Sequence, residues 1–341
     1  MAKIKKIVTI TGGNGGFSLL RGLRKFDWEI SAIVAMTDDG GSTGRLRKEL
    51  GVLPPGDVRY CLSALATLPG EWEEVLNYRF EKGGLKGHTI GNLMLAALEK
   101  FHGNFLEAVK EMEKILATKG RVVPATLDNA ELRARLKNGK IIRGQHKIDT
   151  YPGLQSKGVK KIYVSPKAKA NPLATKAILN ADVVSIGPGN LYCSIIPNLI
   201  IKELKEAILK TRALVIFHCN LLNRKNHTEG FDLDDYAGEI NKCLGGKRVD
   251  AVTVNKAPAS RAQKRIACVK DSDLVKYVSG KNPKRSYKVF KCGLIDNECY
   301  AYANSDAIAY LRSPVRHDGE KVGKAIMRIY EDLKNKVQKT K

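Results

Sequence analysis

The sequence predicts an α/β protein: a Rossmann-like, doubly wound, mostly parallel sheet with a helical insertion and a small antiparallel excursion. Two observations carry this. Short, apolar, β-branched runs alternate with stretches of helical period, the pattern of βαβ units. Two of those runs also end in glycine turns that lead into helices, at residues 12–16 and 187–190.

Residues 4–10 read as a buried parallel strand. Their basic-then-apolar start faintly suggests a signal peptide, but the apolar part is too short and glycines follow at once. Residues 11–16 form a glycine turn, 17–26 a helix with Leu19, Leu20 and Leu23 apolar, and 29–36 a second strand. The result is a βαβ unit with a right-handed crossover. Residues 45–50 read as a short helix, and Pro54-Pro55 sets a turn over 51–56. Helices follow at 57–68, 71–80, 89–101 and 105–117, so 57–117 is the helical insertion. Residues 121–126, 131–136 and 140–148 have β character, with Asn138-Gly139 as a hairpin signal. They form the antiparallel excursion, about 121–149.

The α/β order then resumes. Strand 161–165, helix 172–180 and strand 182–186 lead to the second glycine turn. Helix 200–209, strand 213–219, helix 233–243, strand 251–255 and helix 320–334 follow. Residues 256–286 are polar and show no clear period. With no repeat, low-complexity segment or linker, a single α/β domain over 1–341 is expected, ending in a short flexible tail at 334–341.

The 341 residues are 43% hydrophobic, ample for a core, and no apolar stretch approaches the ~18 residues of a membrane span. The seven cysteines (Cys61, Cys193, Cys219, Cys243, Cys268, Cys292 and Cys299) are odd in number and contain no CxxC pair. Neither a zinc site nor a disulfide framework is indicated, and reduced thiols in the cytoplasm are expected. The net charge of +24 fits either attraction to polyanions or a lysine-rich surface. Basic residues are scattered, aromatics are 6%, and no helix-turn-helix, zinc-finger or RNA-recognition pattern appears, so nucleic acid is not expected as a partner. The chain leaves room for a homo-oligomer.

Five stretches carry chemistry. Thr11-Gly12-Gly13-Asn14-Gly15-Gly16 is neither Walker A nor GxGxxG, yet holds more glycine than a tight turn needs. Its amides and the following helix N-terminus suit a phosphate. Thr37-Asp38-Asp39-Gly40-Gly41-Ser42-Thr43-Gly44-Arg45 begins where the second strand ends, at the edge where ligands bind in such sheets. One aspartate can hold a divalent cation or bond a hydroxyl. Ser42 and Thr43 can donate to a phosphate, and Arg45 can neutralise it. Asp57 and Arg59 start a helix near the same edge, as site residues or as an ordinary end charge and surface arginine. His88, followed by Thr89-Ile90-Gly91-Asn92, is a base, a phosphate donor or simply a helix-start residue. Gly187-Pro188-Gly189-Asn190, running on to Tyr192, repeats the first loop's logic, as a second pocket wall or a plain connection. Asn220 lies at that edge too.

Together these stretches resemble one family, which joins the 2-phospho-L-lactate transferases of deazaflavin-cofactor biosynthesis to the bacterial gluconeogenesis factors. The matching segments are 11–16, 35–53, 54–66, 87–92 and 185–198, in the right order, and the run from Met36 to Arg59 is highly specific. Residues 51–59 and 187–198 look like the gluconeogenesis-factor branch. That branch implies a regulatory protein that binds UDP-N-acetylglucosamine and acts in cell-shape control during growth on gluconeogenic carbon. The transferase branch implies transfer of phospholactate from a guanylyl diphosphate donor to a deazaflavin hydroxyl. Mg²⁺ and Asp38, or Asp39, would then act at the reacting centre. Either branch implies a nucleoside diphosphate conjugate as ligand and no nicotinamide or flavin cofactor. Two departures stand out: Asn14 where the family often has threonine, and the loop 220–230, which keeps only Thr228-Glu229-Gly230 of the expected pattern. That loop is a candidate lining for the base or sugar.

Overall fold

The computed structural model describes residues 4–256, 260–261, 273–278, 282, 284–298, 313 and 315–339, with backbone alone for the last five. Strand β1 (Lys6–Ile10) is apolar on both faces because helices cover both sides. It pairs in parallel with β2 (Glu29–Val34) on one side and β7 (Val183–Ile186) on the other, Ile7 facing Ile30 and Val183. The main sheet adds β3 (Arg121–Pro124), β8 (Leu214–His218), β9 (Ala251–Asn255) and β10 (Lys288–Cys292), in the order β10-β9-β8-β7-β1-β2-β3. Every neighbouring pair in it is parallel. The order runs outward in both directions from β1 and β7, so the crevice between their carboxyl ends is the topological switch point, the ligand position of doubly wound sheets.

Helices fill the crossovers. Helix α1 (Gly13–Leu23) joins β1 to β2. The β2–β3 crossover holds α2 (Gly41–Leu50), α3 (Gly56–Leu65), α4 (Gly70–Asn77), α5 (Ile90–His102) and α6 (Phe105–Ile115). Beyond β3 lie α7 (Gln145–Asp149) and α8 (Pro172–Leu179). A π-helical turn at Leu191–Ile195 runs into α9 (Ile196–Leu199) and α10 (Lys202–Lys210). Then come α11 (Leu233–Leu244) and α12 (Gly319–Lys339). Two apolar layers form the core. One joins Leu19, Leu23, Leu62 and Ile326 and the other Leu199, Leu204, Phe217 and Ile240.

Several boundaries differ from the sequence reading. Helix α1 begins at Gly13, not Phe17, and α2 at Gly41, not Arg45, so both glycine stretches supply first helical turns. Residues 121–124 belong to the main sheet, where β3 pairs with β2. The antiparallel excursion is therefore β4 (Glu131–Leu136), β5 (Ile141–Arg143) and β6 (Val159–Ser165), in the order β5-β4-β6. Lys161–Ser165, read as a main-sheet strand, instead pairs antiparallel with β4. Residues 145–148, read as the end of a strand, lie in helix α7, and β10 was not anticipated at all. The tail read as flexible continues α12 as far as Lys339. Cys61, Cys193, Cys219, Cys243 and Cys292 are free thiols, while Cys268 and Cys299 lie outside the described residues. Among the described residues no helix is long and apolar enough to cross a membrane.

Candidate ligand-binding site

A cleft of about 1300 Å³ opens over the carboxyl ends of β1, β2, β7 and β8. Its floor is the pair of glycine turns at the switch point. Thr11 Oγ donates to the Pro188 carbonyl at 2.6 Å, tying one turn to the other inside the protein. A Cβ on Gly15 would stand 2.8 Å from the same carbonyl oxygen, and one on Gly16 would stand 2.9 Å from Thr11 Cγ2. These two glycines are therefore needed for packing. Gly15→Ala is expected to pry the turns apart and cost about 1–3 kcal/mol, read as a lower urea midpoint. Gly12, Gly13, Asn14 and Gly15 face the cleft. Gly13 holds a φ of 56°, which glycine adopts at little cost, and its N–H donates to Asp57 Oδ1 at 3.1 Å. A protein carboxylate thus already sits at the N-terminus of α1.

The second aspartate loop divides its labour. Asp38 lines the cleft, with the Gly40 N–H donating to its Oδ1 at 3.0 Å. Burial pushes its carboxyl above the ordinary carboxylate range. Bonds from Gly40 and Thr43 oppose that, Asp39 adds to it, and Arg47 opposes it. Asp39 turns away: its Oδ1 accepts from the His146 N–H at 2.6 Å and anchors the first turn of α7. Thr37 also lies off the cleft, donating to Gln145 Oε1 at 2.6 Å. Both were read as ligand or catalytic residues. Both instead hold α7 against the main sheet.

Ser42, Thr43 and Arg45, on the first turns of α2, line the cleft with Asp57, Arg59 and Asn92. Arg59 is buried, donating through Nε to Asn92 Oδ1 at 2.9 Å and through Nη1 to Asn77 Oδ1, with its guanidinium 4.0 Å above the Tyr60 ring. The surface reading of Arg59 is excluded by that burial. His88 lies behind this wall, its Nδ1 2.9 Å from Ser42 Oγ.

On the other side, Pro188, Gly189 and Asn190 face the cleft while Gly187 does not. Asn190 caps the π-helical turn, accepting from the Tyr192 and Cys193 N–H groups, and donates to Asp149 Oδ1 at 2.7 Å. Tyr192, read as a ligand contact, is buried against His227, and burial pushes its hydroxyl well up. Asn220 donates to the Gly189 carbonyl at 2.9 Å and lines the cleft.

The structure adds residues that were not singled out. Arg224 reaches Asp149 Oδ1 at 2.5 Å, and Arg79, Lys86, His227 and His317 also line the cleft. Residues 220–227 form one wall, the loop whose departure from the family pattern marked it as a candidate lining. Arg79 and His317 gave no sequence signal, because only the fold brings them to this edge. His227 is 2% exposed; burial, and next Arg224, push its ring down to about 4. Burial does the same for His317, whose Nε2 bonds the Cys219 carbonyl at 3.1 Å. Both rings are neutral at pH 7. Four cations, Arg45, Arg59, Arg79 and Lys86, line the α2 and α3 side among the carboxyls Asp38, Asp57 and Glu81, while on the opposite side Arg224 pairs with Asp149.

Fold and site define a class: a doubly wound α/β protein with one polar, cation-edged cleft at the switch point of its sheet. The chain belongs to the 2-phospho-L-lactate transferase CofD family, whose model matches residues 7–294. Within it, the chain is 40% identical to the gluconeogenesis factor of Halalkalibacterium halodurans over 76% of this chain and 80% of that one. It is 37% identical to the gluconeogenesis factor of Bacillus subtilis, over 75% and 80%. A solved structure from Bacillus halodurans is 34% identical and superposes with a TM-score of 0.86, covering 96% of this chain and all of that one.

Proposed function

We propose that the cleft binds a nucleoside diphosphate conjugate of the UDP-N-acetylglucosamine kind, and that the protein is a regulator linking this ligand to central carbon metabolism and cell shape in the cytoplasm. The observation that carries the reading is the group of four cationic side chains, Arg45, Arg59, Arg79 and Lys86, along the α2 and α3 side of the cleft at the switch point. Cationic groups at the α2 and α3 edge suit a diphosphate. The neutral amides and imidazole beside Asp149 suit the uncharged base or sugar.

Transferase chemistry is the second reading, favoured by Asp38 alone. It is a cleft carboxyl whose raised proton affinity suits a general base for an acceptor hydroxyl. Among the described residues no group of three or more His, Cys, Asp or Glu side chains gathers as a metal site. Mg²⁺ at Asp38 would therefore draw most of its ligands from phosphate and water, its usual habit.

A thermal-shift series tests the choice. UDP-N-acetylglucosamine at ~100 times its Kd is expected to add about 2.7 kcal/mol of stability. Stabilisation by GDP but not by UDP-N-acetylglucosamine would sink the regulatory reading.

A further inference from the structure

Ser42 stands in the first turn of α2 and faces the cleft, and its hydroxyl is held from behind. The Asn92 amide donates to Ser42 Oγ at 3.1 Å, and His88 Nδ1 lies 2.9 Å from the same oxygen. Asn92 has no freedom to flip, because its Oδ1 accepts from Arg59 Nε. A serine hydroxyl has one hydrogen and two lone pairs, and Asn92 uses one lone pair. His88 decides the rest. With Nδ1 bare, the ring takes the Ser42 hydrogen and the hydroxyl shows the cleft a lone pair, which a phosphate oxygen avoids. With Nδ1 protonated, which acid enforces by forming the imidazolium, the ring donates to Ser42, and the hydroxyl hydrogen is released toward the cleft.

The charged groups that face His88 are Arg45 and Glu49 from α2, and Arg79 from the segment bridged to Thr89; α5 offers the uncharged Asn92. Burial and then Arg45 hold the ring below the ordinary histidine value. Glu49 opposes this and Arg79 adds to it. The resting ring is therefore neutral at pH 7.

We propose that His88 is a positioning residue: through Ser42 it couples the binding of a phosphate group in the cleft to protonation of its own Nδ1. The proposal rests on the diphosphate reading given above. A bound anion gains the Ser42 hydrogen bond and the nearby ring charge. By linkage, the anion then raises the proton affinity of His88, and acid raises the affinity for the anion by the same factor. The window runs downward from the ordinary histidine value.

The test is calorimetric titration of the full-length protein with UDP-N-acetylglucosamine between pH 8 and pH 5. Tightening of roughly five- to tenfold toward pH 5 is expected, the net size of one hydrogen bond. His88→Asn and Ser42→Ala should each give a profile clearly shallower than that of the parent. Asp38→Asn should lose only the part of the slope that protonation of Asp38 itself supplies, and His88→Asn in that background should be flat, which separates the two groups. His88→Gln, whose amide can hold Ser42 without titrating, replaces His88→Asn should the latter fail to fold. Ring ¹⁵N shifts give the second readout: the His88 signals, identified by their loss in the variant, should take on the character of a ring protonated on both nitrogens when ligand is added at pH 7. An unchanged slope in the His88 variant, or ring shifts indifferent to ligand, overturns the proposal. A parent protein that binds neither UDP-N-acetylglucosamine nor inorganic pyrophosphate at any pH overturns the diphosphate reading, and the proposal with it.

Discussion

Gly22→Ala is expected to destabilise the protein by about 3 kcal/mol or more, the upper end of what an overpacked interior costs. Helix α12 crosses α1 with backbone on backbone. A Cβ on Gly22 would stand 2.1 Å from the Gly319 carbonyl carbon and 2.3 Å from the Glu320 nitrogen. From the other side, a Cβ on Gly319 would stand 2.2 Å from the Ser18 carbonyl oxygen, and one on Gly323 would meet the Phe26 ring at 2.3 Å. None of these clashes is with a flexible side-chain end except the last, where a packed ring would have to move. The contact matters because α1 leaves the Gly12–Gly16 turn, so lifting α12 disturbs the helix that carries one wall of the cleft. Urea unfolding checks this, with Gly238→Ala as the opposite-signed control. Gly238 lies inside α11 with nothing within 4 Å of an added Cβ, and alanine there should stabilise by up to about 1 kcal/mol. Equal midpoints for the two variants would refute the packing account.

The sequence showed the main sheet where strands are buried on both faces. β1, β7, β8 and β9 are rich in β-branched and apolar residues and almost wholly buried, and each was read in place. β3 was assigned to the wrong sheet, although its Val122-Val123 core is buried like that of its neighbour β2. β6 was misassigned in the opposite sense. Its lysines at 160 and 161 are exposed, which fits a small sheet open to solvent and not a doubly covered one. β10 escaped notice because it is an edge strand whose Lys288 and Lys291 interrupt the apolar run. In the site, residues that directly follow strands were legible, since parallel topology sends every carboxyl end to one edge. What a motif cannot tell is which way each of its side chains turns. Asp38 and Asp39 are neighbours with separate tasks, decided by α7, a helix the sequence reading had taken for strand. Arg224 and Asp149 meet across 75 positions, a pairing that no local pattern encodes.

Asparagine at position 38 is expected to stabilise the fold at pH 7 and to remove any turnover. The folded protein holds the Asp38 proton more tightly than the unfolded chain does, because burial penalises the charged form. Such a group contributes stability in acid, and that contribution is lost as pH rises through its raised value. Asparagine keeps an oxygen to accept the Gly40 N–H and never ionises. The variant should therefore gain on the parent as pH climbs above the ordinary carboxylate range, and the two should converge below it. Melting curves from pH 3 to pH 8 measure the difference, and a variant that is less stable at pH 7 would contradict the burial account. Function should move the other way. If Asp38 takes a proton from an acceptor hydroxyl, transfer from a guanylyl diphosphate donor to a deazaflavin should fall roughly 10²–10⁴-fold in the variant, with donor binding retained. If the cleft only senses a nucleotide sugar, the parent has no turnover to lose. Affinity of the variant for UDP-N-acetylglucosamine should then equal or exceed that of the parent at pH 7, since one negative charge has left a site built for a diphosphate. Only the transferase reading gives the Asp38 charge a task that offsets its cost to the fold, so turnover in the parent decides between the two.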